Sequence, residues 1–334
     1  MSDISIAIDF GGNFTSIYKK GCGLILKEPT LICAIKTENG YEVKAMGKDS
    51  KEIQGKTDDR TVVFSPVSDG IIKSVDYATI LLKHFLDKIG IKPLFKKIKC
   101  LVPCPTGITQ EEKEDYKKVF EGAGIKNVNF VPRILCSAYG SGINIFSNNA
   151  SMVVDIGGSS IDIGVINLGT IIQGATLAVG CNAVDKKIIN LVASKYGVEI
   201  GILSARKLKE QIGSLYSNDT ANMEVVGFDI NTKQPTSVVV YATDVKEATL
   251  PLLLEVTRII ETTLNVIPAE VSGDIAKNGV TICGGLSSMV GIGKYFSREL
   301  NLAVNISAAT NNSCILGAGK LLSNDQDYNV VINN

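Results

Sequence analysis

The chain has a single histidine, His84, no tryptophan and no net charge: thirty-four basic residues balance thirty-four acidic ones. One histidine beside eight cysteines, none of them in a Cys-x-x-Cys pair, leaves no Cys/His set for zinc. The cysteines fall mostly in apolar stretches and read as buried reduced thiols of a cytosolic protein. Without net charge there is no global field to draw the chain to nucleic acid or to a membrane, so any such contact has to come from a local patch. Two uncharged runs, 134–154 and 163–184, approach the length of a membrane span, but Gly, Asn, Ser and Gln interrupt both. They read as core. A Gly-x-x-x-x-Gly-Lys-Ser/Thr loop is absent, which excludes the P-loop as the phosphate binder. The first residues, MSDISIAID, already read as a strand, so no targeting segment is expected.

What is present suits two α/β domains of roughly 150 residues each: 334 residues, 45% of them apolar. Strand patterns at 3–9 and 16–26 flank a GGNF turn, and Glu38-Asn39-Gly40 reads as a tight turn between two strands within 30–45. A polar stretch, 46–60, interrupts the core pattern as a small insertion would. Helix 75–89 carries an apolar stripe and stops at Gly90; Thr109 and Glu112 form a capping-box pattern for helix 109–122. Strands are expected at 98–103, 127–131, 151–156, 162–168, 171–179, 223–230, 236–242 and 279–283. Helices are expected at 133–142, 182–197, 204–213, 243–266 (kinked at Pro251), near 289–299, and at 310–323.

Two stretches share one pattern. IAIDFGGNFTSIY (6–18) and VVDIGGSSIDIGV (153–165) each run an apolar strand into an Asp, a glycine pair, small polar residues and a second strand. Glycine pairs permit a tight corner whose backbone N–H groups point inward and can hold phosphate oxygens. Asp9 and Asp155 would repel phosphate, so their natural partner is a cation, Mg²⁺ through water. Two such corners face to face would clamp a polyphosphate between related domains. A third glycine loop, Gly284-Gly285-Leu286-Ser287, follows strand 279–283 and could approach a purine face.

Three glycine loops in this order resemble the actin/Hsp70/sugar-kinase superfamily. Within it the chain resembles the MreB family of bacterial actin homologues, through IDFGGNFTSIY, EPTLICAI, CPTGITQEEK, VVDIGGSSIDIGVINLG, VGCNAVDKKIINLVASKYGVEIG, LKEQIGS, DIAKNGVTICGGLSSMVGIG and LGAGK. The resemblance implies an actin-like ATPase fold: two related ribonuclease-H-like domains, four subdomains in all, around a nucleotide cleft. Domain I would span 1–142 with an inserted subdomain at about 33–64, and the C-terminal segment 310–334 would pack back on it. Domain II would span 143–309 with an insertion at about 182–242. The resemblance further implies an ATP- or ADP-binding cytoskeletal protein with Mg²⁺, self-assembling into paired protofilaments, with sister paralogues as possible partners and no nucleic acid. It would be cytoplasmic, peripheral to the inner face of the plasma membrane, and would govern cell shape, or helical body and motility in wall-less bacteria. Gly11, Gly12, Asn13 and Phe14 would form the first phosphate loop with Asp9; Gly157, Gly158, Ser159 and Ser160 the second with Asp155. Arg206 and Lys209 would lie beside the adenosine, Arg206 standing where the family has Glu. Gly284, Gly285, Leu286 and Ser287 would lie against the adenine.

One departure bears on chemistry. Aligned on Gly142 of VPRILCSAYGSG, the Glu with which the family positions the attacking water becomes Arg133. A guanidinium accepts no hydrogen bond and is no base. In the second corner Ile161 stands where the family has Thr after Ser160. Loss of a positioning group costs about 10²–10⁴-fold in rate, so weak or absent hydrolysis is expected with binding retained. Two other readings stay open: Arg133 merely caps its helix, or its guanidinium holds the γ-phosphate. Leu94 and Phe95 of IKPLFKKIK align with the family's membrane-inserting loop, and lysines flank them. The competing reading is a sugar or carboxylate kinase, which needs a carboxylate base in the cleft. Only Asp9, Asp155 and Asp162 stand near the loops.

Overall fold

Alternating apolar residues fold the N-terminal segment into three antiparallel strands, β1 (Ile4–Phe10), β2 (Phe14–Lys19) and β3 (Gly23–Pro29). The single strand expected over 16–26 is divided, because Gly21 and Gly23 adopt positive φ and turn the chain between β2 and β3. The computed structural model describes residues 4–38, 40–93 and 97–333. Asn39 of the expected Asn-Gly turn and the expected membrane-contacting Leu94 and Phe95 lie outside the described residues.

A small sheet follows, from β4 (Ile32–Thr37), β5 (Gly40–Met46) and, after α1 (Lys48–Ile53), β6 (Thr61–Phe64). The hairpin β7 (Val67–Ser68) and β8 (Ile71–Ile72) leads into α2 (Val75–Lys88). Ala78, Leu81, Leu82, Phe85 and Leu86 of α2 are all buried, the i, i+3, i+4, i+7 stripe of a helix lying on a sheet. Next come β9 (Ile98–Cys104), α3 (Gln110–Gly122), β10 (Asn127–Pro132) and α4 (Arg133–Gly140). The capping box of α3 forms as expected between Thr109 and Glu112.

The second half repeats the plan with β11 (Ser151–Ile156), β12 (Ile161–Asn167) and β13 (Thr170–Leu177). Then follow α5 (Asn182–Tyr196), β14 (Val198–Glu199), α6 (Ile202–Ile212), β15 (Asn222–Asp229) and β16 (Pro235–Tyr241). Helix α7 (Ala242–Val266) runs on through Pro251, which lies on its exposed side. The chain ends with α8 (Ala269–Asn278), β17 (Val280–Cys283), α9 (Ile292–Leu300), β18 (Val304–Ile306), α10 (Ser313–Ser323) and α11 (Asp325–Asn333). Among the described residues no helix is long and apolar enough to cross a membrane.

Two five-stranded sheets result, ordered β3-β2-β1-β9-β10 and β13-β12-β11-β17-β18. In each, three antiparallel strands are extended by two parallel ones. The duplication seen in the two glycine corners is thus a duplication of whole sheets. In each half a helix follows the last strand, α4 after β10 and α10 after β18, and these two helices cross at glycines. A Cβ on Gly140 would lie 1.8 Å from the Ser313 carbonyl oxygen, and one on Gly317 1.8 Å from that of Cys136. Ala7 of β1 and Leu101 of β9 share a core cluster with Ala318, Leu321 and Leu322 of α10, so α10 packs under the first sheet.

Candidate functional site

A cleft of about 410 Å³ opens between the two sheets, within the range of small-ligand sites. The β1–β2 and β11–β12 corners form its floor and close with the same hydrogen bond. Gly11 N–H donates to the Phe14 carbonyl at 3.2 Å, and Gly157 N–H donates to the Ser160 carbonyl at 3.0 Å. The corners touch each other. A Cβ on Gly12 would lie 2.4 Å from Ser159 Oγ, and one on Gly158 2.1 Å from Asn13 Nδ2. Above this contact Asn13 and Asn182, the first residue of α5, exchange amide hydrogen bonds of 2.9 and 2.6 Å. Asn182 was not anticipated from the sequence, since its role depends on the opposite sheet.

Arg133, the first residue of α4, reaches this joint. Its Nη2 donates to Asp9 Oδ1 at 3.4 Å, its Nη1 donates to Ser160 Oγ at 3.3 Å, and the same nitrogen lies 3.7 Å from Asp162 Oδ2. The side chain is buried. Burial alone would weaken its hold on the proton, but Asp9 and Asp162 outweigh that and keep the guanidinium charged well beyond its ordinary range. Asp162 is fully occupied: its Oδ1 accepts from Thr106 N–H and from Thr176 Oγ, each at 2.7 Å. Asp155 accepts from Ser137 Oγ, and burial pushes its carboxyl up to about 6 despite that bond and the nearby guanidinium.

Two expected site residues turn away. Ile161 is completely buried in the core of the second half and does not line the cleft. Strand β12 alternates, so Ser160 and Asp162 share the face toward Arg133 and Ile161 takes the opposite one. Ser287 is likewise buried and donates to its own loop at the Gly284 carbonyl, 2.7 Å away, whereas Gly284, Gly285 and Leu286 do line the cleft. Gly284 needs its positive φ and its missing side chain: a Cβ there would lie 2.5 Å from Asp155 Oδ1.

The far wall comes from α5 and α6. Arg206 Nε lies 3.2 Å from Asp185 Oδ2, and Lys209 pairs with the other oxygen of the same carboxylate while donating to the Cys181 carbonyl at 2.9 Å. Both basic residues line the cleft as expected, joined by a buried acid that the sequence reading passed over. Its one local signal is an Asp beside the buried stripe Val184, Ile188 and Val192. At the rim Phe14 lies under two ammonium groups, Lys27 and Lys51, at 5.4 and 5.7 Å from the ring centroid.

A divalent metal fits this arrangement poorly. Asp9 already faces a guanidinium, and Asp155 is buried, hydrogen-bonded and biased toward its neutral form. Like unit charges about 4 Å apart repel by about 4 kcal/mol at an effective dielectric of about 20, and a divalent ion doubles that. Among the described residues no cluster of three or more His, Cys, Asp or Glu side chains offers a metal site.

The architecture has relatives. The model of the MreB/Mbl protein family matches residues 3–330. The chain belongs to the MreB/Mbl family. The cell shape-determining protein Mbl of Bacillus subtilis (strain 168) is 30% identical over 320 residues, covering 96% of each chain. The crystal structure of MreB5 of Spiroplasma citri bound to AMPPNP superposes with a TM-score of 0.92 at 28% identity, covering 99% of this chain and 98% of that one. A MamK double helical filament shares the actin-like fold, with a TM-score of 0.81 at 18% identity over 97% of this chain and 99% of that one. The MreB/Mbl match spans both corners, the third loop and α4, and so includes Arg133.

Proposed function

We propose that this protein is a nucleotide-binding bacterial actin that polymerises into filaments and hydrolyses ATP slowly or not at all. Family membership and the likeness to MreB5, whose structure contains AMPPNP, support the nucleotide and the cytoskeletal setting. The observation that carries the weak hydrolysis is the Arg133 guanidinium, standing between Asp9 and Asp162 at the meeting point of the two corners. A side chain with donors only can bind phosphate oxygens there, but it cannot take a proton from water. ATP and ADP would lie with their phosphates over Gly11–Phe14 and Gly157–Ser160. The nucleoside would lie between Gly284–Leu286 and the Arg206/Lys209 wall. The expected Mg²⁺ on Asp9 and Asp155 is not adopted, because the cation already present takes its place.

The kinase alternative loses ground on the same geometry: Asp9, Asp155 and Asp162 each have a hydrogen-bond or ion-pair partner, and none is free to act as the base. Self-assembly would join the 182–242 region of one molecule to the first-hairpin domain of the next, and sister paralogues could enter the same filament. Leu94 and Phe95, flanked in sequence by lysines, would hold the filament against the inner face of the membrane. Replacing both residues by Ser then abolishes co-sedimentation with anionic liposomes; unchanged pelleting sinks that part. The central test is phosphate release from ATP, with and without Mg²⁺, beside an Arg133→Glu variant. Near-zero release that rises in the variant supports the proposal, and ordinary turnover by the wild type refutes it.

A further inference from the structure

Arg133 occupies an electrostatically awkward position. It is the first residue of α4, where the positive end of the helix dipole disfavours a cation, and it is almost entirely removed from water. Two carboxylates hold it there, one from each half of the molecule: Asp9 at the end of β1 and Asp162 in β12. A guanidinium added to a helix N-terminus makes an anion site stronger than either element alone. The neighbouring surface is made of the two glycine corners, which touch at Gly12 and Ser159 and at Gly158 and Asn13. Its five donors are only partly used by Asp9, Ser160 and Asp162, and a planar fork of this kind matches phosphate oxygens two at a time.

We infer that Arg133 is a tethered cation that replaces the divalent metal at the phosphate end of the cleft, so that this chain binds ATP and ADP without Mg²⁺. The inference rests on the nucleotide-binding reading given above. Both carboxylates that a metal's water shell would use are engaged, Asp9 by Arg133 and Asp155 by Ser137. A fixed positive charge beside them opposes entry of a second cation. When a polyphosphate enters, the guanidinium exchanges its long contact with Asp9 for phosphate oxygens. Ser160 and Asp162, the latter anchored by Thr106 and Thr176, keep the arginine in place from behind.

The test is equilibrium binding of a fluorescent N-methylanthraniloyl-ATP to the full chain by anisotropy, at fixed ionic strength, in Mg²⁺ and in EDTA. Wild-type affinities in the two media agree within about threefold. Arg133→Gln loses about tenfold or more in EDTA and recovers most of it in Mg²⁺, because the vacated space admits the metal. Arg133→Lys, which keeps the charge, still binds in EDTA. A wild-type loss of about 100-fold in EDTA, or a Gln variant as indifferent to metal as the wild type, overturns the metal replacement and leaves the nucleotide reading intact. Absence of binding by the wild type in both media overturns the nucleotide reading itself. Should Arg133→Gln fail to fold, the wild-type comparison decides alone.

Discussion

Replacing Arg133 with Met keeps the unbranched stem of the side chain and removes its charged end. Asp162, with a side chain 1% exposed, then keeps a buried negative charge whose only compensation is the Thr106 and Thr176 hydrogen bonds. Asp9, 21% exposed, relaxes toward water. Breaking a buried ion pair from one side typically costs about 3–5 kcal/mol. The surviving hydrogen bonds and the access of Asp9 to solvent place the cost here at the lower end, about 3 kcal/mol. Asp162→Asn on the wild-type background costs about 1–2 kcal/mol, since the amide oxygen still accepts while the guanidinium keeps Asp9. In the double variant the uncompensated charge is gone, and its cost falls short of the sum by about 1–2 kcal/mol. Nucleotide-free urea unfolding at neutral pH, followed by circular dichroism because the chain lacks tryptophan, measures all four corners of the cycle. Additivity within about 0.3 kcal/mol, or an Arg133→Met cost under about 1 kcal/mol, refutes the clamp.

Gly140→Ala drives a methyl into the Ser313 carbonyl, a backbone atom that cannot swing aside, and costs about 3 kcal/mol or more in a thermal melt; Gly273→Ala on α8, with nothing near its Cβ, is neutral or stabilising by up to about 1 kcal/mol. Asp155 binds its proton more tightly folded, at about 6, than unfolded, so it adds stability below its unfolded pKa that is lost as pH rises through about 6. Asp155→Asn therefore gains on the wild type by about 2–3 kcal/mol between acidic and neutral urea titrations, and parallel pH profiles would contradict this. Asn182→Ala removes the two-way amide bridge to Asn13 and costs about 1 kcal/mol, with the same loss for Asn13→Ala and little more for the double variant, read from the same unfolding curves.

Local signals read well from the sequence where the responsible chemistry is local. The α2 stripe, the Thr109–Glu112 capping box and the two glycine corners each lie within a few residues, and each forms as expected. The elements that escaped are those made by their neighbours. Strand β18 is three residues added to the edge of β17. Helix α11 is acidic and weakly patterned, and it is held by Tyr328 and Val331 in the core and by the Tyr139 hydroxyl donating to Asp327. At the site, residue types were legible and their partners were not: nothing near position 133 announces Asp9 or Asp162. Ile161 shows the opposite error. The two-residue period of a strand already separates it from Ser160 and Asp162, and that period outweighs matching a hydroxyl by position.

The duplication explains how one arginine comes to touch both halves. Gly140 and Gly317 make mirror contacts, each meeting the carbonyl four residues before the other, so α4 and α10 are related by an approximate two-fold. Seven residues before each glycine stand Arg133 and Thr310, and both line the cleft. Thr310 supports the third glycine loop through its backbone, its carbonyl accepting from Gly284 N–H at 3.1 Å. Arg133 ties the two glycine corners together through its side chain. Helices locked at backbone-to-backbone distance have no slack to absorb a movement, because interiors packed this closely shift as units. With the two backbones in contact, Arg133 can leave Asp9 by turning its side chain alone, pivoting on its contacts with Ser160 and Asp162.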